Sequence, residues 1–252
     1  MKIPSSRRPA SRELQELLTK VSRTSSVVAA FDVDGTLTNG GSTYPWLAAV
    51  GGRSRTMLAC IKLSPQIFLA GLLGGSRADQ TKERTFTAIL HGVTEEHVRV
   101  VSTEFAARHY RKRLRPEVKA MVDWHQHLGH KVVLVSASVE AYIGPIGDLL
   151  RADAVLSTRL GVTPARTMSG HYDGRNCRGE EKIARLTNWM HAQGLERDGE
   201  KPLLVAYGNS RGDARMLAAA DLGINCGKLG ALSRLRSYPE LAQVTLALAE
   251  QG

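Results

Sequence analysis

Three short apolar runs limit what this 252-residue chain can fold into: Val27–Phe31 (VVAAF), residues 131–135 (KVVLV) and residues 203–207 (LLVAY). Each is too short for a helix, rich in Val, Leu and Ala, and free of polar alternation. Strands covered by helices on both faces read this way. Helical stretches separate the runs. Pro116 opens a helix over residues 116–128, with Val118, Met121, Val122, His125 and Leu128 on one side, and Gly129 stops it. A second helix is predicted from about residue 179 to 193, with Ile183, Leu186 and Met190 as its apolar stripe. A third follows Asp213 through Met216, Leu217 and Ala220. This alternation predicts the α/β class, with a doubly wound, Rossmann-like parallel sheet.

Residues 39–115 do not fit the alternation. They look helical, contain no comparable strand run, and read as a helical cap inserted after the first strand. The expected organisation is a basic N-terminal tail over 1–25, an α/β core over 26–38 and 116–240, and the cap over 39–115. Residues 159–175, with Gly161, Pro164, Gly170 and Gly174, read as a loop or hairpin.

Charge follows these divisions. The whole chain is +10, residues 1–25 contribute +4, residues 39–115 contribute +7, and the remainder sums to −1. A bias confined to the tail and one internal segment points to an anionic partner: nucleic acid, an anionic membrane surface or a polyanionic substrate. Zinc-finger spacing and RNP-like aromatic motifs are absent from the sequence, so no nucleic acid is expected. The cysteines (Cys60, Cys177, Cys226) are odd in number and lack metal-type spacing. That argues against a disulfide framework and for a reducing cytoplasm. The start, MKIPSSRRPASRELQELL, has no apolar h-region of a secretory signal.

Each apolar run ends in oxygen-bearing side chains. Asp32-Val33-Asp34-Gly35-Thr36 follows the first, Ser136-Ala137-Ser138 the second, and Gly208-Asn209-Ser210-Arg211-Gly212-Asp213 the third. Ligands of open parallel sheets bind beyond the carboxyl ends of the strands, so three such endings point to one shared site. A lone D-x-D is weak evidence, since acidic pairs also cap helices and line turns. Residues i and i+2 of an extended chain project to one side, so Asp32 and Asp34 can face one centre, and Gly35 lets the backbone turn away. Two carboxylates this close need a cation or a shared proton. Mg²⁺, a hard oxygen-liganded ion, meets that need and also binds phosphate oxygens.

The run FDVDGTLT, Ser136 after a buried strand, Lys182 within GEEKIARL and the GNSRGD segment resemble the haloacid dehalogenase superfamily over residues 26–226. The insert after the first motif resembles the cap of its phosphoserine-phosphatase-like branch (subfamily IB). The resemblance implies a phosphatase in which Asp32 attacks phosphorus to form an aspartyl-phosphate and Asp34 acts as general acid and base. Ser136 and Lys182 would hold the phosphoryl oxygens, with Thr36 and Ala137 also at the substrate. Mg²⁺ would be held by the Asp32 carboxylate, the Asp34 backbone carbonyl, Asn209 and, directly or through water, Asp213. Asn209 departs from the family pattern, which places Asp there, and offers an oxygen without a charge. That leaves a second reading, a weak or inactive scaffold serving as a binding or regulatory module.

The expected partner is a phosphorylated small molecule or lipid. Residues 37–78 contain no Asp or Glu but do contain Arg53, Arg55, Lys62 and Arg77. An ammonium-bearing substrate is therefore disfavoured. Residues 63–76 (LSPQIFLAGLLGGS) are uncharged and too short to span a bilayer. They read either as a buried cap helix or as an interfacial surface for peripheral contact with an anionic membrane. Arg111, Lys112 and Arg113 read either as a phosphate patch or as a solvated return from cap to core.

Overall fold

The computed structural model describes residues 11–73, 75–195, 201–227 and 235–250. Part of the segment read as a tail, residues 1–10, lies outside them. The rest of it is largely helix α1 (Ser11–Arg23), which buries Leu14, Leu17, Leu18 and Val21. Its basic residues occupy the outer side of an amphipathic helix, so here a charge count concealed an i, i+3, i+4, i+7 stripe.

Strand β1 (Val27–Phe31) is buried along its whole length. The chain then forms six helices before it returns to the sheet, the first five being α2 (Thr43–Gly51), α3 (Arg53–Lys62), α4 (Ser64–Leu73), α5 (Gly75–Leu90) and α6 (Glu95–Arg113). Thr94 caps α6 by accepting from the His97 amide, and Arg111, Lys112 and Arg113 occupy its last turn, where cations meet the helix dipole. Helix α7 (Pro116–His127) begins at the proline and buries Val118, Met121, Val122 and His125. Strand β2 (Lys131–Val139), helix α8 (Glu140–Leu150) and strand β3 (Ala154–Thr158) follow. An antiparallel hairpin, β4 (Leu160–Val162) with β5 (Met168–Tyr172), fills residues 159–175, as its glycines suggest. Helix α9 (Glu180–Ala192), strand β6 (Leu203–Gly208), helix α10 (Ala214–Ala219), strand β7 (Leu222–Asn225) and helix α11 (Leu241–Ala249) complete the order.

The main sheet is parallel throughout, in the order β3-β2-β1-β6-β7. Side chains of β1 alternate between its two faces. Val27, Ala29 and Phe31 join one apolar cluster, with α1, α7, α8 and α11, while Val28 and Ala30 join the other, with α9 and α10. Burial on both faces explains why the run shows no polar alternation. The ends of β1 and β6 are locked by Phe31 stacked on Tyr207, with ring centroids 4.2 Å apart.

The sheet has two strands that the apolar runs did not announce, β3 and β7. β3 is only half-buried over its first three residues, and β7 is four residues long. β2 extends past Val135, with a register shift against β3 between Ser136 and Val139. Ser136 therefore lies within the strand rather than after it.

Candidate active site

Register pairs Phe31 with both Leu134 and Tyr207, so β1, β2 and β6 reach the same edge of the sheet together. Asp32, Ser136 and Asn209 follow within one or two residues and emerge side by side. Asp32 is 6% exposed and Lys182 1%. The Lys182 ammonium, in the first turn of α9, donates to Asp32 Oδ1 at 2.7 Å, Asp213 Oδ1 at 2.6 Å and the Val135 carbonyl at 2.7 Å. All three of its hydrogens are taken. This lysine is not the solvated side chain that its place on a helix first turn would suggest.

Burial pushes the Asp32 carboxyl up from its ordinary range, the charge of Asp213 adds to the shift, and Lys182 opposes it. For Lys182 burial acts downward, and the charges of Asp213 and Asp32 outweigh it, so the ammonium is held above the usual lysine range. Both directions have one origin, two buried carboxylates sharing one ammonium.

Asp213 also organises its own loop. Its Oδ2 accepts from the Asn209 and Ser210 amides and from Ser210 Oγ, while Ser210 Oγ accepts from the Gly212 amide. Both oxygens of Asp213 are thus committed to Lys182 and the loop. Any contact of Asp213 with a metal, expected directly or through water, would have to share these same oxygens.

Asn209 is held against the first motif. Gly35 has φ +84°, and a Cβ there would lie 2.1 Å from the Asn209 side chain, so the turn admits no larger residue. The inward end of the Asn209 carboxamide sits 3.2 Å from Asp32 Oδ2, 3.3 Å from the Asp34 carbonyl and 3.2 Å from Thr36 Oγ1. With its nitrogen turned inward, the amide hydrogen-bonds to these oxygens. With its oxygen inward, Asp32 Oδ2, the Asp34 carbonyl and the carboxamide form an all-oxygen triad that repels itself unless a cation lies among them. Spacings of this size are close to the ~3 Å between adjacent oxygens of an octahedral Mg²⁺ shell. The donor set therefore fits Mg²⁺, although among the described residues no group of three His, Cys, Asp or Glu gathers to hold a metal. Two of the three donors are a backbone carbonyl and a carboxamide.

Asp34 is fixed at one oxygen and free at the other. Its Oδ2 accepts from Ser42 Oγ at 2.7 Å and Ser138 Oγ at 2.5 Å, whereas Oδ1 is buried without a hydrogen-bond partner. Ser42, its hydrogen given to Asp34, in turn accepts from the buried Tyr142 hydroxyl at 2.8 Å. Ser136 Oγ accepts from the Ser138 amide at 3.1 Å, which leaves its own hydrogen to donate. Thr36 is buried beside Asn209.

The structure adds residues that sequence reasoning missed. Lys82, from α5, donates to the Ala137 carbonyl at 2.7 Å and brings a second cation to the site. Burial lowers its pKa to about 8, against the pull of Asp34 and Asp79, while Arg178 pushes the same way as burial. Ala137 O also accepts from Thr158 Oγ1. Arg115 is buried and straps the Gly35 carbonyl (2.8 Å) to the Cys226 carbonyl (2.7 Å). Arg111, Lys112 and Arg113 are exposed, so it is the last arginine of RHYRKRLR that turns inward.

Comparison with known proteins bears on the family and the fold. The model of the family described as haloacid dehalogenase-like hydrolase matches residues 29–218. Protein CicA of Caulobacter vibrioides is 31% identical over 195 residues, spanning 77% of this chain and 83% of the relative. A histidinol-phosphatase of Neisseria meningitidis serogroup C is 24% identical over 192 residues, 75% of this chain and 85% of that one. A solved phosphoserine phosphatase with bound substrate superposes with a TM-score of 0.58 at 19% identity, over 85% of this chain and 92% of that one. The chain belongs to the haloacid dehalogenase-like hydrolase family and has the fold of its phosphoserine-phosphatase-like members.

Proposed function

We propose that the protein is a Mg²⁺-dependent phosphomonoester hydrolase that works through a phosphorylated Asp32. The observation that carries the reading is the buried convergence of Asp32, Asp34, Lys182 and the Asn209 carboxamide at the ends of β1 and β6. The phosphatase names of the Neisseria relative and of the superposed structure support it.

In this mechanism an Asp32 carboxylate oxygen attacks phosphorus while the bond to the leaving oxygen breaks. Asp34 gives that oxygen a proton from its unpartnered Oδ1, and Ser42 and Ser138 hold the carboxyl in place through Oδ2. Asp34 then takes a proton from water as the water attacks phosphorus, which breaks the bond to Asp32 and releases phosphate. Ser136 offers a hydrogen bond to the phosphoryl oxygens as charge builds on them, and Lys182, its hydrogens held by Asp32, Asp213 and the Val135 carbonyl, offsets that charge through space. The Asp32 carboxylate, the Asp34 carbonyl and Asn209 would hold Mg²⁺, which when bound supplies positive charge to the phosphoryl group.

We infer that the substrate is an anionic phosphate without an ammonium group, lipid phosphates included. Lys82 and Arg178 place positive charge near Ala137, and residues 37–78 provide no carboxylate. The helices of residues 39–115 serve as the cap. The three free thiols fit a cytoplasmic setting. Among the described residues no helix is long and apolar enough to cross a membrane.

Release of phosphate from an aryl phosphate, with and without Mg²⁺, tests the reading. Asp32→Asn is expected to lower turnover by roughly 10⁴-fold or more while circular dichroism stays unchanged. Asn209, one charge short at the cation, favours the inactive-scaffold reading. Absence of Mg²⁺-dependent hydrolysis by the unaltered protein would establish that reading instead.

A further inference from the structure

Five large apolar side chains face solvent on α3 and α4: Phe68 is 71% exposed, Met57 63%, Ile61 61%, Leu58 52% and Leu69 45%. Single exposed apolar residues are ordinary on folded proteins, whereas a cluster on two adjoining helices marks an interaction surface. On α3 the residues at 57, 58 and 61 share one side, and Thr56 and Ala59 are turned inward. α4 follows after Leu63 alone, packs against α3, and continues the patch with Phe68 and Leu69. The basic residues Arg53, Arg55, Lys62 and Arg77 flank it, all exposed. No acidic residue occurs between positions 37 and 78.

We propose that α3 and α4 form a docking surface for an anionic phospholipid membrane. The apolar side chains enter the boundary between headgroups and acyl chains, and the basic ones lie among the lipid phosphates. Charge selects this occupant over a second copy of the chain. A two-fold dimer through the patch would set the same uncompensated cations against each other. A neutral apolar partner would leave those cations without counterparts. α3 and α4 both pack on α5, which carries Lys82 to the Ala137 carbonyl, so docking holds the candidate active site one helix from the bilayer. The inference does not depend on the proposed catalysis.

Flotation of the full chain with vesicles tests it. The protein is expected to float with mixed phosphatidylcholine–phosphatidylglycerol vesicles at low salt, less at moderate salt, and not with phosphatidylcholine alone. The double variant Ile61→Glu/Phe68→Glu is expected to lose about tenfold or more of this partitioning. Its far-ultraviolet circular dichroism should match the parent, which separates lost docking from lost folding whether or not the chain hydrolyses phosphate esters. Absence of flotation on the mixed vesicles at low salt overturns the proposal. So does equal flotation of parent and double variant, or a dimer in sedimentation equilibrium that the double variant lacks.

Discussion

The floor of the site and the helical segment above it are stabilised in opposite ways. At the floor, where β1, β2 and β6 end, buried charges are paired one to another: Lys182 has three acceptors and Asp213 secures both lysine and loop. In α2–α6 the buried side is largely apolar, with Trp46, Leu47, Phe86, Ile89 and Phe105, and the outer side of α3 and α4 leaves apolar groups in water. The difference separates two tasks. Chemistry needs groups that cannot move, and these lie on a sheet whose register fixes them. Recognition of a large partner needs surface, and that lies on helices outside the sheet.

Removing a paired charge from the floor is the harshest way to test this contrast. Lys182→Met would leave Asp32 and Asp213 buried without their shared ammonium, which is expected to cost about 3–5 kcal/mol of stability. Urea unfolding of the variant measures it. A loss under about 1 kcal/mol would mean the floor is far wetter than the structure indicates.

A gentler probe lies behind the floor. His125 bonds to Tyr207 Oη at 2.9 Å and to His130 Nδ1 at 2.8 Å. Burial, reinforced by His130, holds its pKa down to about 3. Unfolding restores an ordinary imidazole near 6.5, so the unfolded chain takes up a proton that the folded chain refuses. The His125 contribution is therefore complete above about pH 6.5 and is lost as pH falls toward 3, at roughly 1.4 kcal/mol per pH unit. Unfolding free energies at several pH values for the parent and His125→Gln should differ by that slope. Parallel curves would show that His125 is protonated in the fold.

Lys82 crosses from one region into the other and carries the smallest expected effect. Its burial already works against its charge, so Lys82→Met should leave stability within about 0.5 kcal/mol. If it meets an anionic substrate, KM should rise roughly tenfold with kcat nearly unchanged, the signature of lost uniform binding. A fall in kcat alone would assign it to the chemistry of the floor.

Legibility in the sequence follows the same division. Asp32, Asp34, Ser136 and Asn209 were visible because a parallel strand declares where it ends, and residues just past the end share a site. Lys182 and Asp213 came with their motifs, but the full occupation of Asp213 by lysine and loop did not, since hydrogen-bond partners depend on tertiary distance. Lys82 and Arg115 had no local signal. Residues 39–115 hold twelve basic side chains, and only the docking of α5 and α7 decides which turn inward. Strands β3 and β7 were hidden by incomplete burial and shortness, and α1 by its charges.

The asparagine at position 209 has a consequence for the order in which the site fills. With Asp34 protonated, as a general acid must be, the Asp32 and Asp213 carboxylates against one ammonium leave the buried floor at −1, and a divalent cation would bring it to +1. An aspartate at 209 would instead bring the loaded floor to neutrality. The surplus positive charge means that cation and phosphate each improve the site for the other, a coupling that thermodynamic linkage makes reciprocal. Mg²⁺ should bind about fivefold or more tightly when inorganic phosphate is present, and phosphate should gain by the same factor from Mg²⁺. Calorimetric titrations in the two orders measure both factors, and unchanged affinities would show the sites to be independent.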